Sequence, residues 1–114
     1  MKTSANIKRL LASLVLGSGL AYGATAADVK ENWTTHCAAC HGKDGRGQTK
    51  AGRMAGVKDQ TDAAYQGTLK DDKMFTSVKE GLKEGDKEKM KPFKEKLSDD
   101  DIKALVAFVR TLKK

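Results

Sequence analysis

The pentapeptide Cys37-Ala38-Ala39-Cys40-His41 constrains this chain more than any other stretch. Two cysteines with two residues between them, and a histidine directly after the second, is the spacing of covalent c-type haem attachment. Each thiol adds to one vinyl group of the porphyrin, and the two-residue spacer sets the thiols at the separation of those vinyls. His41 then comes up beneath the macrocycle, where its imidazole binds the iron as the proximal ligand. Other readings explain less. A thioredoxin-like redox pair needs a βαβ setting, and no strand pattern surrounds these cysteines. A structural zinc site needs four ligands, whereas His36, Cys37, Cys40 and His41 crowd into six residues with no distant second pair. A plain disulfide leaves His41 without a purpose.

The first residues read as an export signal. Lys2, Lys8 and Arg9 form a positive start, Leu10 to Leu16 and Leu20 to Tyr22 a short apolar run, and Ala24-Thr25-Ala26 a small-x-small cleavage pattern. The apolar run is short and interrupted by Gly17 and Gly19, which argues against a membrane anchor. The expected organisation is a secretory signal over residues 1–26 and one domain over 27–114, in the periplasm. Removing the three basic groups of the signal from a net charge of +7 leaves +4, and two ionised haem propionates lower that by roughly two more. The high charge is thus partly a property of the leader, and nucleic-acid binding is not expected.

A domain this short, with 5% aromatic residues, has little material for a core. Small domains recruit disulfides, metals or other staples. A buried haem, as a large apolar disc, supplies the interior that the side chains lack.

Asp28 to Glu31 fits a helix start, with Asp28 as N-cap and Glu31 reaching back to it. Val29, Trp33 and Cys37 then recur every fourth residue on one face; His36 sits beside that face and is expected to be exposed or loosely packed. His41 to Gly47 is a loop whose three glycines permit positive φ near the porphyrin edge. A short helix is expected over Thr61 to Tyr65, with Tyr65 near the cofactor. Asp71 to Leu82 reads as a helix with acids in its first turn, an apolar stripe of Met74, Phe75, Val78 and Leu82, and a stop at Gly81 or Gly85. Lys83 to Lys96 holds six lysines and four acids and is expected to be mostly a solvated loop. Met90 stands isolated in it, with Pro92 to stiffen the chain and Phe93 to anchor it. A methionine often only fills a gap, yet an iron bound by His41 still needs a sixth ligand. Ser98 and Asp101 open a final helix as a capping box, with Ile102, Leu105, Val106, Phe108, Val109 and Leu112 on its apolar face. No stretch shows sustained strand alternation.

In combination, Trp33-Thr34-Thr35-His36-Cys37-Ala38-Ala39-Cys40-His41-Gly42, the segment from Met90 to Ser98 and the helix from Ile102 to Arg110 resemble a small single-haem class I cytochrome c over most of the mature chain. The resemblance implies an all-α, cytochrome c-like fold of three to five helices wrapped around one covalently bound haem c. It implies terminal helices that cross near Trp33 and Phe108, thioether links at Cys37 and Cys40, and axial iron ligands His41 and Met90. Met54 is the main rival to Met90 as the distal thioether, with Met74 behind it. The chain departs from the family in one respect: no proline follows the haem motif to offer its carbonyl to the proximal imidazole. Another carbonyl must orient His41.

The expected function is a soluble periplasmic electron carrier, not an enzyme, that meets the membrane only through redox complexes. Donor and acceptor proteins dock transiently at the haem edge, steered by charge, with Lys43, Lys50, Lys87, Lys89 and Lys91 as candidate rim residues. The alternative is a haem peroxidase or gas-binding sensor with an open sixth position. That site needs a distal His or Arg, for which Arg53 and Arg46 are the candidates.

Overall fold

The computed structural model describes residues 25–114. The expected export signal lies almost wholly outside the described residues. Among these, no helix is long and apolar enough to cross a membrane.

A nearly continuous helical segment opens the domain: α1 (Ala26–Asn32), a π-helical turn (Trp33–Cys37) and α2 (Ala38–His41). It begins one turn earlier than the Asp28 cap predicts. Thr25 is the N-cap, its hydroxyl accepting from the Asp28 N–H at 3.2 Å while the Asp28 carboxylate accepts from the Thr25 N–H. Asp28 therefore closes the capping box as its third residue instead of opening the helix.

The π turn is the second departure from the sequence reading. The Ala38 N–H donates to the Trp33 carbonyl five residues back, which inserts a residue into the turn and resets the helical phase. Val29 and Trp33 are buried as the four-residue spacing predicts, and Cys37, half-buried at the end of the π turn, packs against the core that holds Trp33. Such turns are rare and concentrate at functional sites.

Three short helices follow. α3 (Lys50–Ala55) is capped by Thr49, α4 (Ala63–Thr68) by Asp62, and α5 (Asp71–Glu80) stops at Gly81, where φ is +82°. Gly52 of α3 lies so close to the haem-motif helix that a Cβ there would overlap the Cys40 carbonyl oxygen.

Lys83 to Lys96 is not simply a solvated loop. It contains a two-stranded antiparallel hairpin, β1 (Leu82–Glu84) and β2 (Lys87–Met90), the one sheet among the described residues. Gly85 has φ +61° and Asp86 does not share the positive sign, the pattern of a type II′ hairpin turn. Lys83 faces Glu88 and Glu84 faces Lys87, so opposite charges pair across the strands. The register places Met90 opposite Leu82, with a bulge between Leu82 and Lys83.

The last helix, α6 (Asp99–Thr111), carries the expected Ser98–Asp101 capping box. Its buried face, Ile102, Leu105, Val106 and Val109, builds the core with Trp33, Phe93 and Leu97. The indole of Trp33 meets the Phe108 ring at 5.1 Å between centroids, so the first and last helices cross where the resemblance implies. Five helical segments, counting Ala26–His41 as one, and a small hairpin make a cytochrome c-like fold.

Candidate haem site

All five helical segments, the 56–60 loop and the hairpin line one large cavity of about 850 Å3, within the roughly 300–1,000 Å3 span of small-molecule and cofactor sites. Cys37, Cys40, His41 and Met90 all line it. Its apolar wall comes from Met74 and Val78 of α5, Phe93, and Leu105, Val106 and Val109 of α6. Tyr65 also lines it, as expected.

His41 is half-buried, and its ring lies 5.8 Å from that of Trp33. Its Nδ1 is sealed inside the protein without a partner, so Nε2 is the nitrogen left to face the cavity. Burial lowers the imidazole pKa from its ordinary value; a neutral ring keeps the lone pair that a metal requires. The Cys37 thiol is pushed up to about 11, first by burial and then by the neighbouring Cys40. A thioether has no proton to lose, so forming the link removes a group that burial would penalise if charged. The loop behind the motif is fixed by its own bonds. Trp33 Nε1 donates to the Gly42 carbonyl at 3.0 Å, and the Gly47 N–H donates to the His41 carbonyl at 2.7 Å.

Met90 reaches the cavity because the hairpin presents it. β2 ends at Met90, and directly after it the Phe93 N–H donates to the Val78 carbonyl at 3.0 Å while the Phe93 ring is buried in the core. Gly81 leaves room for this return: a Cβ there would sit 2.8 Å from the Met90 carbonyl oxygen and 2.9 Å from the Pro92 nitrogen. Met54, the main rival, is 78% exposed and lies in a separate shallow groove beside Lys87 and Lys89. Met74 lines the cavity as well, from the apolar stripe of α5, and both Met74 and Met90 pack against the core.

His36 is half-buried against Phe93, ring centroids 5.7 Å apart, and lines the cavity, a closer engagement than its helical position suggests. Of the five candidate rim lysines, Lys89 and Lys91 line the cavity; Lys43, Lys50 and Lys87 do not. Lys58, Lys70 and Lys73 do. These three carry no motif, and only the fold brings them to the opening. Neither Arg46 nor Arg53 is on the wall, and Arg46 pairs with Asp44 at 3.9 Å.

A cavity of cofactor size, walled by aliphatic side chains, with both thiols and one imidazole nitrogen on it, fits a covalently held haem. Comparison with known proteins agrees. The cytochrome c family model matches residues 26–113. The solved structure of the c-type cytochrome KustC0563 is 38% identical and superposes with a TM-score of 0.65, covering 75% of this chain and 96% of its own. The structure of a tyrosine-to-phenylalanine variant of Kustc0563 gives 37% identity and a TM-score of 0.66, covering 75% of this chain and 99% of its own. No curated protein sequence matches the chain at a significant level. The chain belongs to the cytochrome c family, a family of haem c electron carriers.

Proposed function

We propose that this chain is an exported, periplasmic electron carrier in which Cys37 and Cys40 would hold the haem by thioether bonds and His41 and Met90 would be the protein ligands to its iron. The observation that carries this reading is the convergence of Met90 with Cys37, Cys40 and His41 on one cavity, with Met54 outside it. When bound, the haem supplies a one-electron couple. The protein shapes the site: α6 and Phe93 contribute its apolar wall, and the Phe93–Val78 hydrogen bond ties down the segment that bears Met90. A thioether ligand favours the ferrous state and raises the potential relative to a second imidazole.

Transient redox partners dock over the cavity mouth, where Lys58, Lys70, Lys73, Lys89 and Lys91 outnumber Glu84 and Glu88, Lys89 being paired with Glu84 at 3.8 Å. Rim charges act mainly on the association rate, so transfer to an acidic partner slows as salt rises. Carbon monoxide discriminates this reading from a peroxidase or gas sensor. Reduced, undenatured holoprotein that leaves carbon monoxide unbound supports the carrier; prompt binding supports an open sixth position.

A further inference from the structure

Cys40 and His41 end α2, a helix of only four residues. The last carbonyls of a helix have no partner within it, so a turn this close to the end frays unless other groups take them up. Here they are taken up in turn. The Gly42 N–H donates to the Ala38 carbonyl at 2.8 Å, and the Gly47 N–H donates to the His41 carbonyl at 2.7 Å. The Cys40 carbonyl accepts from a side chain instead: the Thr49 hydroxyl donates to it at 2.9 Å, in a half-buried position.

The Thr49 oxygen also accepts from the Gly52 N–H at 2.9 Å and so caps α3. One hydroxyl therefore joins the start of α3 to the peptide that precedes His41. Gly52 lets the two come together. It is buried, and a Cβ there would overlap the Cys40 carbonyl oxygen and lie 2.6 Å from that of Gly47. The His41 ring depends on such support from behind. Its Nδ1 has no partner among the described residues, so no hydrogen bond of its own sets the imidazole. Its direction comes from the backbone of this turn and from Trp33, whose ring is tilted by 37° against it.

We infer that Thr49 is a positioning residue for the proximal ligand: its hydroxyl, by holding the Cys40 carbonyl against α3, sets the direction of the His41 imidazole. The inference rests on the reading that His41 binds haem iron. Capping α3 alone needs only an acceptor, which many side chains supply. Holding a carbonyl needs a donor as well, and a hydroxyl is both.

Proton NMR of the ferric mature holoprotein tests this, because the spread of the haem methyl shifts follows the direction of the imidazole plane on the iron. Three substitutions separate the two roles of the hydroxyl. Thr49→Ser keeps cap and donor, Thr49→Asp keeps the cap without a donor at neutral pH, and Thr49→Val lacks both. A wild-type methyl pattern is expected in Thr49→Ser and an altered one in Thr49→Asp and Thr49→Val. In Thr49→Val the Gly47 amide is also expected to exchange about two- to tenfold faster, as the loss of one hydrogen bond allows. A wild-type pattern in Thr49→Asp reduces the residue to a helix cap and overturns the inference, as does an unchanged pattern in Thr49→Val. If Thr49→Val does not fold, the contrast between Thr49→Ser and Thr49→Asp decides. A crystal structure of the wild-type holoprotein needs no variant. The inference requires Thr49 Oγ1 within about 3.0 Å of the Cys40 carbonyl oxygen. Iron bound by His41 without that bond overturns it and leaves the carrier reading standing; iron bound without His41 overturns both.

Discussion

The Phe93 backbone N–H donates to the Val78 carbonyl across 3.0 Å, tying the segment after Met90 to the end of α5. The adjacent Lys94 N–H repeats the contact to Lys79 at 3.3 Å, and the Phe93 ring is buried. Met90 is thus held by a strand on one side and a core aromatic on the other. Its position is a consequence of packing as much as of any bond to iron.

Phe93→Ala removes the aromatic anchor. Truncation of a buried Phe costs about 3–5 kcal/mol, and the segment it releases is the one bearing Met90. Chemical denaturation followed by far-UV circular dichroism is expected to show that loss. The spectral signature of the thioether ligand is expected to disappear at lower denaturant than the helices do.

Gly81→Ala tests the backbone return. The residue has φ +82°, and a Cβ would meet the Met90 carbonyl oxygen at 2.8 Å and Pro92 at 2.9 Å. Alanine at a positive-φ position destabilises by more than about 1 kcal/mol, and the contact atoms here are backbone that cannot rotate away. A lowered melting temperature with a weakened methionine-ligand signature is expected, whereas Gly85→Ala, with open space at its Cβ, is expected to spare the ligand.

Asp59 gives a pH signature. The Thr61 hydroxyl donates to its carboxylate at 2.6 Å and the Thr61 N–H at 2.8 Å, and these bonds hold its pKa below the ordinary 3.8. A depressed folded pKa contributes stability that is present above 3.8 and is lost as pH falls through the folded value. Denaturation midpoints of the wild type and Asp59→Asn are therefore expected to differ at neutral pH and to converge below 3.8. A gap that widens in acid contradicts the assignment.

Much of this architecture is legible in the residues because local chemistry and tertiary packing agree there. Ser98 with Asp101 starts α6 where the capping box predicts, Gly81 ends α5, and Trp33 meets Phe108. The π turn at Trp33–Cys37 leaves no such trace, since every residue in it is compatible with an ordinary helix. At the first helix two overlapping capping patterns compete: in the full chain Thr25–Asp28 forms, whereas cleavage after Ala26 removes Thr25 and leaves Asp28–Glu31. The hairpin escaped for a different reason. Apart from Leu82 and Met90 its strands are lysines and glutamates, so they lack apolar alternation, although Gly85-Asp86 is a recognisable two-residue turn. The rim lysines Lys58, Lys70 and Lys73 come from two separate segments, and only the tertiary fold gathers them at the cavity.

The most direct test of the account is the visible spectrum of ferric mature holoprotein, recorded for the wild type and for Met90→Ala. Coordination by the sulfur of Met90 predicts a weak charge-transfer band at the red end of the spectrum in the wild type and its loss in the variant, with the haem still covalently attached. A band that survives the substitution unchanged contradicts the assignment of Met90 to the iron.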